Sequence, residues 1–281
     1  MKDSRGCRER DIAFLKEQAK LVRVEILKML AVAGSGHTGG SLSAADIVTA
    51  LYFSKMRHRP DNPSWRERDR FILSKGHAAP LLYAVLAMTG YFDISMLKTL
   101  RKLGSPLQGH PCSRALPGVE ISTGSLGQGL SVSNGIAIGL KMENLSSRVY
   151  CLLGDGEIQE GQVWEAAMTA AHYRLDNLCA IVDLNGLQID GLVSKVKAIE
   201  PVASKWSAFG WNVIEIDGHN LEEILNAFDE AETVKGKPSV ILAHTIKGKG
   251  VSFFEGKVEY HGVAPTQEEL ERALKELEVN G

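Results

Sequence analysis

Hydrophobic positions in the first third of the chain repeat with the period of an α-helix. Apolar residues recur every three or four positions over 11–33, and the pattern ends at Gly34. Ser43-Ala-Ala-Asp46 has the form of a capping box, which predicts a second helix through about Lys55. A strand at 70–73, a helix at about 78–88 and a helix that ends at about Met142 follow.

From residue 148 onward, short apolar runs alternate with helical segments. The predicted strands are 148–153, 178–182, 212–216 and 239–243, and the predicted helices are 160–173, 201–209, 220–232 and 266–278. This alternation is typical of an α/β fold with a mostly parallel, doubly wound sheet flanked by helices. We expect one domain over 1–281, with an N-terminal helical extension and a C-terminal helix. Ligands bind to such sheets at the carboxyl ends of the strands.

The composition excludes several classes of protein. Of the 281 residues, 44% are hydrophobic, so the chain can bury a large core. The formal net charge is −2 and there is no basic block, which argues against nucleic acid and anionic membranes as partners. No apolar run approaches the roughly 20 residues that a membrane helix needs, and the N-terminus does not resemble a signal peptide.

The four cysteines indicate a reducing compartment. Cys7, Cys112, Cys151 and Cys179 show no C-x-x-C spacing, so neither a disulfide framework nor a zinc site is expected. Cys151 and Cys179 fall in strand-like runs, where a cysteine acts as a small buried hydrophobe. Reduced thiols and the lack of targeting signals predict a cytoplasmic protein.

Two polar residues with affinity for metals follow consecutive predicted strands. Asp155 comes directly after the strand at 148–153, and Asn185 comes shortly after the next one. Adjacent parallel strands would bring the two side chains together. Their carboxylate and amide oxygens, with the backbone carbonyl of Leu187, form a set of hard oxygen ligands that suits Mg²⁺, with Ca²⁺ or Mn²⁺ as substitutes.

Two interpretations of Gly154-Asp155-Gly156 remain open at this point. By itself the tripeptide is typical of an ordinary turn in which the aspartate caps a helix. The flanking glycines also allow a ligand to approach closely, and the helix that follows offers its N-terminus to an anion. Because Asn185 comes about 29 residues later, the pattern favours a binding site. It resembles the thiamine diphosphate fingerprint, which several enzyme families share.

A wider set of ordered motifs resembles transketolase over nearly the whole chain. The motifs are Ser35-Gly-His37-Thr-Gly-Gly40, Leu73-Ser-Lys-Gly-His77, Gly109-His110-Pro111, Thr123-Gly-Ser-Leu-Gly-Gln-Gly129, Leu153-Gly-Asp-Gly-Glu-Ile-Gln-Glu-Gly161, Asp217-Gly-His219, Thr245-Ile-Lys-Gly-Lys-Gly250 and Tyr260-His-Gly262. The resemblance implies the thiamine diphosphate-binding fold, in its diphosphate-binding (PP) form. It also implies transfer of a two-carbon ketol unit between sugar phosphates, as in the pentose phosphate pathway.

The resemblance assigns roles to four histidines beside glycines. His37, His110 and His261 would contact the ketose oxygens, since imidazole can donate or accept hydrogen bonds near neutral pH. His77 would lie beside the diphosphate and thiazolium of the cofactor, with Lys75 close behind, and His261 would adjoin the cofactor too. The remaining histidines are expected to be structural or exposed: His58, His172, His219 and His244.

Further cofactor contacts are implied in the same way. The residues concerned are Gly124, Ser125, Leu126, Gly154, Asp155, Gly156, Glu157, Asn185 and Lys247. Gly124 and Ser125 would offer backbone groups to the aminopyrimidine while Leu126 packs on its ring, and Lys247 would adjoin the diphosphate. Glu160 has two equal interpretations: a favourable acid at a helix N-terminus, or a glutamate that meets its twin across a dimer axis in a proton relay.

The chain departs from the family pattern in two respects. Thr38 stands where many relatives have proline, which should alter loop stiffness rather than chemistry. The chain also stops after Gly281, before the pyrimidine-binding and C-terminal domains of a full-length transketolase, which carry the glutamate that protonates the cofactor. Two explanations are open: a truncated piece of a longer enzyme, or a natural N-terminal subunit with a separate partner chain. The charged helix predicted at 266–278 favours the second, so we expect a split enzyme that is inactive alone and assembles with a C-terminal subunit, in an α2β2 form.

Other functions compete with ketol transfer. The chain could be a subunit of a deoxyxylulose-phosphate-synthase-like or 2-oxoacid-decarboxylating enzyme, although a decarboxylase has no ketose to bind with its histidines. It could also be a non-catalytic cofactor-binding chain. The intact set of Asp155, Asn185 and the histidines argues against that alternative.

Overall fold

A computed structural model describes residues 11–279 of the chain. The first ten residues, with Cys7, and the last two residues of the predicted 1–281 domain lie outside this range. The helices are α1 Ile12–Ala33, α2 Thr38–Ser43, α3 Ala45–Ala50, α4 Ala79–Thr89, α5 Gln128–Met142, α6 Gly161–His172, α7 Val193–Val196, α8 Val202–Ala208, α9 Leu221–Thr233 and α10 Gln267–Val279. The strands are β1 Arg70–Leu73, β2 Val149–Gly154, β3 Leu178–Leu184, β4 Leu187–Gln188, β5 Gly191–Leu192, β6 Asn212–Asp217 and β7 Ser239–His244.

Helix α1 begins and ends as its sequence predicts. The Asp11 carboxylate accepts a hydrogen bond from the Phe14 N–H at 2.9 Å and so caps the first turn. Gly34 ends the helix in a left-handed conformation with φ of 64°, which glycine adopts without a steric penalty. The apolar stripe of α1 is buried against the core.

The main sheet is parallel throughout and has the order β1-β2-β3-β7-β6. The predicted strands are confirmed to within a residue or two. Strands β1, β2 and β3 lie side by side in chain order. The next strand of the main sheet, β6, lies at the far edge, and β7 then lies between β6 and β3. This reversal of strand order is the feature of doubly wound sheets that opens a crevice at their carboxyl edge.

Alternate residues of each strand pack on opposite faces of the sheet. On β2, Tyr150 and Leu152 belong to a core with α1, α3, α4 and α9. The neighbouring Cys151 and Leu153 belong to a second core with α5, α6 and α8. Both faces are therefore covered, and Cys151 and Cys179 are buried as predicted. In the part of the chain that the structure describes, no helix is long and apolar enough to cross a membrane.

The predicted capping box at Ser43 is wrong. Ser43 is the last residue of α2, a short buried helix that the hydrophobic pattern did not indicate, and its Oγ donates to Asp183 at 2.6 Å. Asp46 does not complete the box, because Arg23 binds its carboxylate in a two-pronged ion pair. Ser43 and Asp46 bind residues that are distant in sequence, Asp183 and Arg23, instead of each other's backbone.

The region around α2 also shows what the threonine at position 38 does. Its Oγ1 donates to the carbonyl of Val263 at 2.6 Å. A proline at this position could not make that bond, so Thr38 ties the start of α2 to the segment that carries His261.

Candidate active site

A pocket of about 230 Å³ lies at the carboxyl ends of the central strands. Its lining comprises His37, Gly40, Lys75, His77, His110, Gly124, Leu126, Gly154, Asp155, Gly156, Glu157, Asn185, Leu187, Gln188, Ile189, Lys247 and His261. All the site residues expected from the sequence line this pocket except Ser125 and Glu160, both of which are exposed on the surface.

Parallel pairing of β2 and β3 brings Asp155 next to the turn that carries Asn185. Gly154 lies opposite Asp183 in the register of the two strands. The Asp155 carboxylate accepts hydrogen bonds from the N–H groups of Gly156 at 2.7 Å and Gly186 at 2.6 Å. Asn185 Oδ1 accepts from the Leu187 N–H at 3.1 Å. Oxygen atoms of both side chains therefore converge in one loop region.

The electrostatics of Asp155 suit a cation. Burial, followed by the negative charge of Asp183, raises the pKa of Asp155 to about 6. A cation bound beside it would restore the charged form. No group of three or more His, Cys, Asp or Glu side chains among residues 11–279 could hold a metal. An ion here would therefore need mixed oxygen ligands, and a carboxylate, an amide and a carbonyl fit a hard divalent ion.

The four glycine-flanked histidines form one cluster. The ring centroid of His37 lies 5.2 Å from that of His77, 5.5 Å from that of His261 and 6.3 Å from that of His110. Burial and then Arg101 lower the pKa of His37 to about 4, and burial and then Lys247 lower that of His261 to about 3. These two rings are thus neutral at pH 7. His37 Nδ1 is buried without a hydrogen-bond partner among the described residues.

The other two rings of the cluster follow the same trend. Burial, followed by the charge of Lys75, holds the pKa of His77 well below its usual range. Burial and Arg101 also lower the pKa of His110, which lies at the mouth of the pocket. The cluster therefore offers neutral imidazoles that can both donate and accept hydrogen bonds.

Two buried lysines place positive charge in the pocket. Lys75 Nζ lies 2.5 Å from Asp183 Oδ2 in an ion pair with almost no exposure to solvent. Lys247 Nζ lies 2.8 Å from His261 Nδ1 and 3.2 Å from the Leu187 carbonyl oxygen. Burial and then Lys75 lower the pKa of Lys247 to about 8. Lys247 therefore remains mostly protonated at pH 7 and can receive an anion.

Tight backbone packing supports the floor of the pocket. A Cβ on Gly76 would come within 2.6 Å of the Gly124 nitrogen, so only glycine fits between these loops. Buried Glu157 joins the loops further, because its carboxylate accepts from the N–H groups of Gly127 at 2.9 Å and Gly154 at 3.0 Å. The atoms that would face a cofactor are held by the chain itself.

Comparison with known proteins identifies the family. Residues 15–280 match the family model described as transketolase, thiamine diphosphate binding domain. This chain belongs to the transketolase family. The 6-deoxy-6-sulfo-D-fructose transketolase subunit SqwG of Clostridium sp. (strain MSTE9) is 48% identical over 267 residues, which cover 95% of this chain and 97% of that protein. An apulose-4-phosphate transketolase subunit from Phocaeicola vulgatus is 43% identical, with 95% and 94% covered.

Full-length transketolases match the same region. The human enzyme is 41% identical over 96% of this chain, which spans only 43% of the human protein. The crystal structure of Campylobacter jejuni transketolase superposes with a TM-score of 0.90 at 38% identity, covering 95% of this chain and 43% of that one. The expected thiamine diphosphate-binding fold is therefore confirmed, and this chain corresponds to the N-terminal part of such enzymes.

Several transketolase motif residues lie outside the pocket. Glu160 precedes the first residue of α6 and makes no side-chain capping bond, although its side chain packs beside Gly127. His219 supports the fold: its Nδ1 lies 2.8 Å from Asp46 Oδ2, and its Nε2 accepts from the Ile246 N–H. The expectation that His219 has a structural role agrees with these bonds.

Sequence reasoning missed three residues at the site. Gln188 and Ile189 line the pocket from the β4–β5 hairpin, which is too short to show a hydrophobic period. Asp183 is fully buried, and no motif in the sequence indicates it. One signal could have found it, since it is the single charged residue within the apolar run of β3.

Proposed function

We propose that this chain is the diphosphate- and metal-binding subunit of a transketolase. With a partner chain it would transfer a two-carbon ketol unit from a ketose phosphate to an aldose phosphate. The observation that carries the proposal is the convergence of four histidines, Asp155, Asn185 and Lys247 on one pocket. The chain also has nearly the full length of relatives named as transketolase subunits.

The metal and diphosphate would be held at the inner end of the pocket. Asp155, Asn185 and the Leu187 carbonyl would bind Mg²⁺, and Ca²⁺ or Mn²⁺ could replace it. The Lys247 ammonium group lines the pocket, and its hydrogen-bond neighbours there are the neutral His261 ring and the Leu187 carbonyl oxygen. Lys247 would therefore neutralise negative charge on the diphosphate. Gly154 and Gly156 line the same pocket and, without side chains, would let the diphosphate approach the backbone closely.

The rest of the pocket would orient the reacting molecules. Thiamine diphosphate supplies a carbon nucleophile that can cleave and form bonds next to a carbonyl group. Gly124, Ser125 and Leu126 would hold its aminopyrimidine, and His77 would lie beside its thiazolium.

The sugar would lie at the histidine cluster. Neutral His37, His110 and His261 can donate hydrogen bonds to hydroxyl and carbonyl oxygens of the sugar and accept protons from them. Their low pKa values keep them able to accept at pH 7.

The active form would contain a second polypeptide. Transketolase homologues of about twice the length exist, so a C-terminal partner would supply the remaining domains, and an α2β2 assembly is the form we propose. On this proposal 1–281 is one PP domain that is inactive alone, and a cytoplasmic location remains a prediction from the sequence.

Reconstitution tests the proposal directly. The chain, its partner, thiamine diphosphate and Mg²⁺ are mixed, and ketol transfer is followed by product analysis. The donor panel contains xylulose 5-phosphate, 6-deoxy-6-sulfo-D-fructose and apulose 4-phosphate, since relatives are named for the last two. Transfer from at least one donor is expected. Activity on pyruvate, with none on any sugar, would contradict transketolase function.

One variant tests the metal assignment. Asp155→Ala should lower the affinity for Mg²⁺ and thiamine diphosphate at least about 100-fold, because it removes a charged ligand. Asp176→Ala is the control, since Asp176 pairs with Lys141 at the opposite edge of the sheet. Calorimetry on the assembly measures both variants. Unchanged affinity in Asp155→Ala would rule out this metal site.

A further inference from the structure

Asp183 is a fully buried acid directly behind the proposed metal site. Its Oδ2 accepts from Lys75 Nζ at 2.5 Å, Ser43 Oγ at 2.6 Å and Asn185 Nδ2 at 3.2 Å. Its Oδ1 accepts from Thr245 Oγ1. These donors come from the carboxyl ends of β1, β3 and β7 and from α2. One carboxylate therefore joins the elements that surround the pocket.

The bond to Asn185 has a directional consequence. An amide side chain has a donor end and an acceptor end, and a carboxylate flanked by donors can only accept. Asp183 therefore selects the Nδ2 end of Asn185. Asn185 Oδ1 therefore points away from Asp183. It accepts a hydrogen bond from the Leu187 N–H, and Asn185 lines the pocket. Rotation of the amide by 180° would place two oxygens against each other.

We infer that Asp183 is a positioning residue, which holds the Asn185 amide with its oxygen toward the proposed metal site. The inference rests on the proposed function and adds a residue to it. Residues that orient the ligands of a metal typically change its affinity about 10- to 100-fold when substituted.

The chain offers a matched control for a purely structural role. Asp69 is also buried, and its carboxylate accepts from the Arg57 guanidinium at 3.0 Å and from the Arg148 N–H at 2.8 Å. It lies at the amino ends of β1 and β2, on the edge of the sheet opposite the pocket. Loss of its charge should lower stability without any effect on a metal site.

The first experiment measures Mn²⁺ affinity in the reconstituted assembly saturated with thiamine diphosphate. Electron paramagnetic resonance of free Mn²⁺ gives the Kd, independently of turnover. We expect Asp183→Asn to raise the Kd about 10- to 100-fold. Asp69→Asn should leave it within about twofold. Equal Kd values for wild type and Asp183→Asn, or equal losses in both variants, would overturn the positioning role.

A second variant keeps the test open if Asp183→Asn does not fold. Asn185→Asp replaces the amide by a carboxylate, which is ordinarily the stronger ligand for a divalent ion. Beside Asp183 the new carboxyl group is either repelled or takes up a proton, and both make it a poorer ligand, so we expect weaker Mn²⁺ binding than in wild type. Equal or tighter binding would overturn the inference.

The swap of both residues sharpens this result. In the double variant with Asp183→Asn and Asn185→Asp, one amide and one carboxylate again face each other. Mn²⁺ affinity should recover relative to Asn185→Asp, and failure to recover contradicts the inference.

Absence of Mn²⁺ binding in wild type would overturn the proposed metal site together with this inference. Wild-type binding that Asp183→Asn leaves unchanged would overturn only the inference.

Discussion

At the scale of single residues, burial sets the protonation state of the candidate active site. His37 lies among other imidazoles and near cations, and its pKa of about 4 is far below the ordinary 6.5. A neutral ring can serve both as donor and as acceptor, whereas an imidazolium can only donate. The same burial that lowers the pKa therefore makes the ring useful to a sugar that carries both kinds of group.

The shift of His37 predicts how stability depends on pH. Between pH 6.5 and about 4 the unfolded chain binds a proton at His37 and the folded chain does not. The free energy of unfolding therefore falls as the pH falls through this window. His37→Asn removes this titratable imidazole. The unfolding temperature of the variant should therefore decline less between pH 7 and pH 5 than that of wild type. Calorimetric scans check this, and parallel declines in both proteins would contradict the shift.

Asp183 shows where residue-level prediction ends. Motifs located Asp155, the histidines and Lys247, because those residues sit beside glycines in loops and turns. Asp183 lies inside β3, and its neighbours in sequence are apolar. Its partners Lys75 and Thr245 come from other strand ends, so only the assembled sheet shows why a charge is tolerated there.

At the scale of elements, long apolar runs were predictable and short buried helices were not. The strands of the main sheet and α1 follow patterns that local sequence carries. Helix α2 contains Gly39 and Gly40, which disfavour a helix by propensity. Its conformation is set by packing, since a Cβ on Gly39 would meet Lys247 and one on Gly40 would meet His77. Tertiary contacts therefore decide this element.

Helix α5 permits a test of packing against propensity within one element. A Cβ at Gly129 would lie 2.4 Å from Ser74 Oγ and 2.8 Å from its Cα, so Gly129→Ala should destabilise by about 1–3 kcal/mol. A Cβ at Gly135 would meet no atom of the described residues within 4 Å. Gly135→Ala should stabilise by about 0.5–1 kcal/mol, because alanine favours the helix. Urea unfolding measures both, and effects of the same sign would refute the argument.

At the scale of the whole molecule, the alternation of strands and helices was sufficient to predict the fold, but one chain does not explain all of its family motifs. Two residues expected to act in catalysis or cofactor binding, Ser125 and Glu160, are exposed outside the pocket. The resemblance implies a backbone contact of Ser125 with the cofactor and a contact of Glu160 with its twin, and in the proposed assembly both residues would face a second polypeptide. Their positions agree with an active centre that lies between polypeptides.

Glu160 turns that reasoning into a prediction about assembly. It is exposed and makes no side-chain capping bond, so Glu160→Arg should destabilise the isolated chain only through the dipole of α6, by about 1–2 kcal/mol at most. In the proposed α2β2 form it would meet its twin across the axis. Two glutamates can share a proton, whereas two arginines stay charged and repel. The variant should therefore dissociate at protein concentrations at least about tenfold higher than wild type, by sedimentation velocity.

The control for this change lies on the opposite face of the sheet. Glu230 is exposed on α9. Helices α9 and α6 pack on opposite faces of the sheet, so Glu230→Arg makes the same change in charge away from the proposed axis. It should assemble as wild type does. Dissociation of both variants would indicate a general effect of charge, and normal assembly of Glu160→Arg would show that Glu160 does not face its twin. Selective dissociation of Glu160→Arg is the outcome that places the axis beside the pocket.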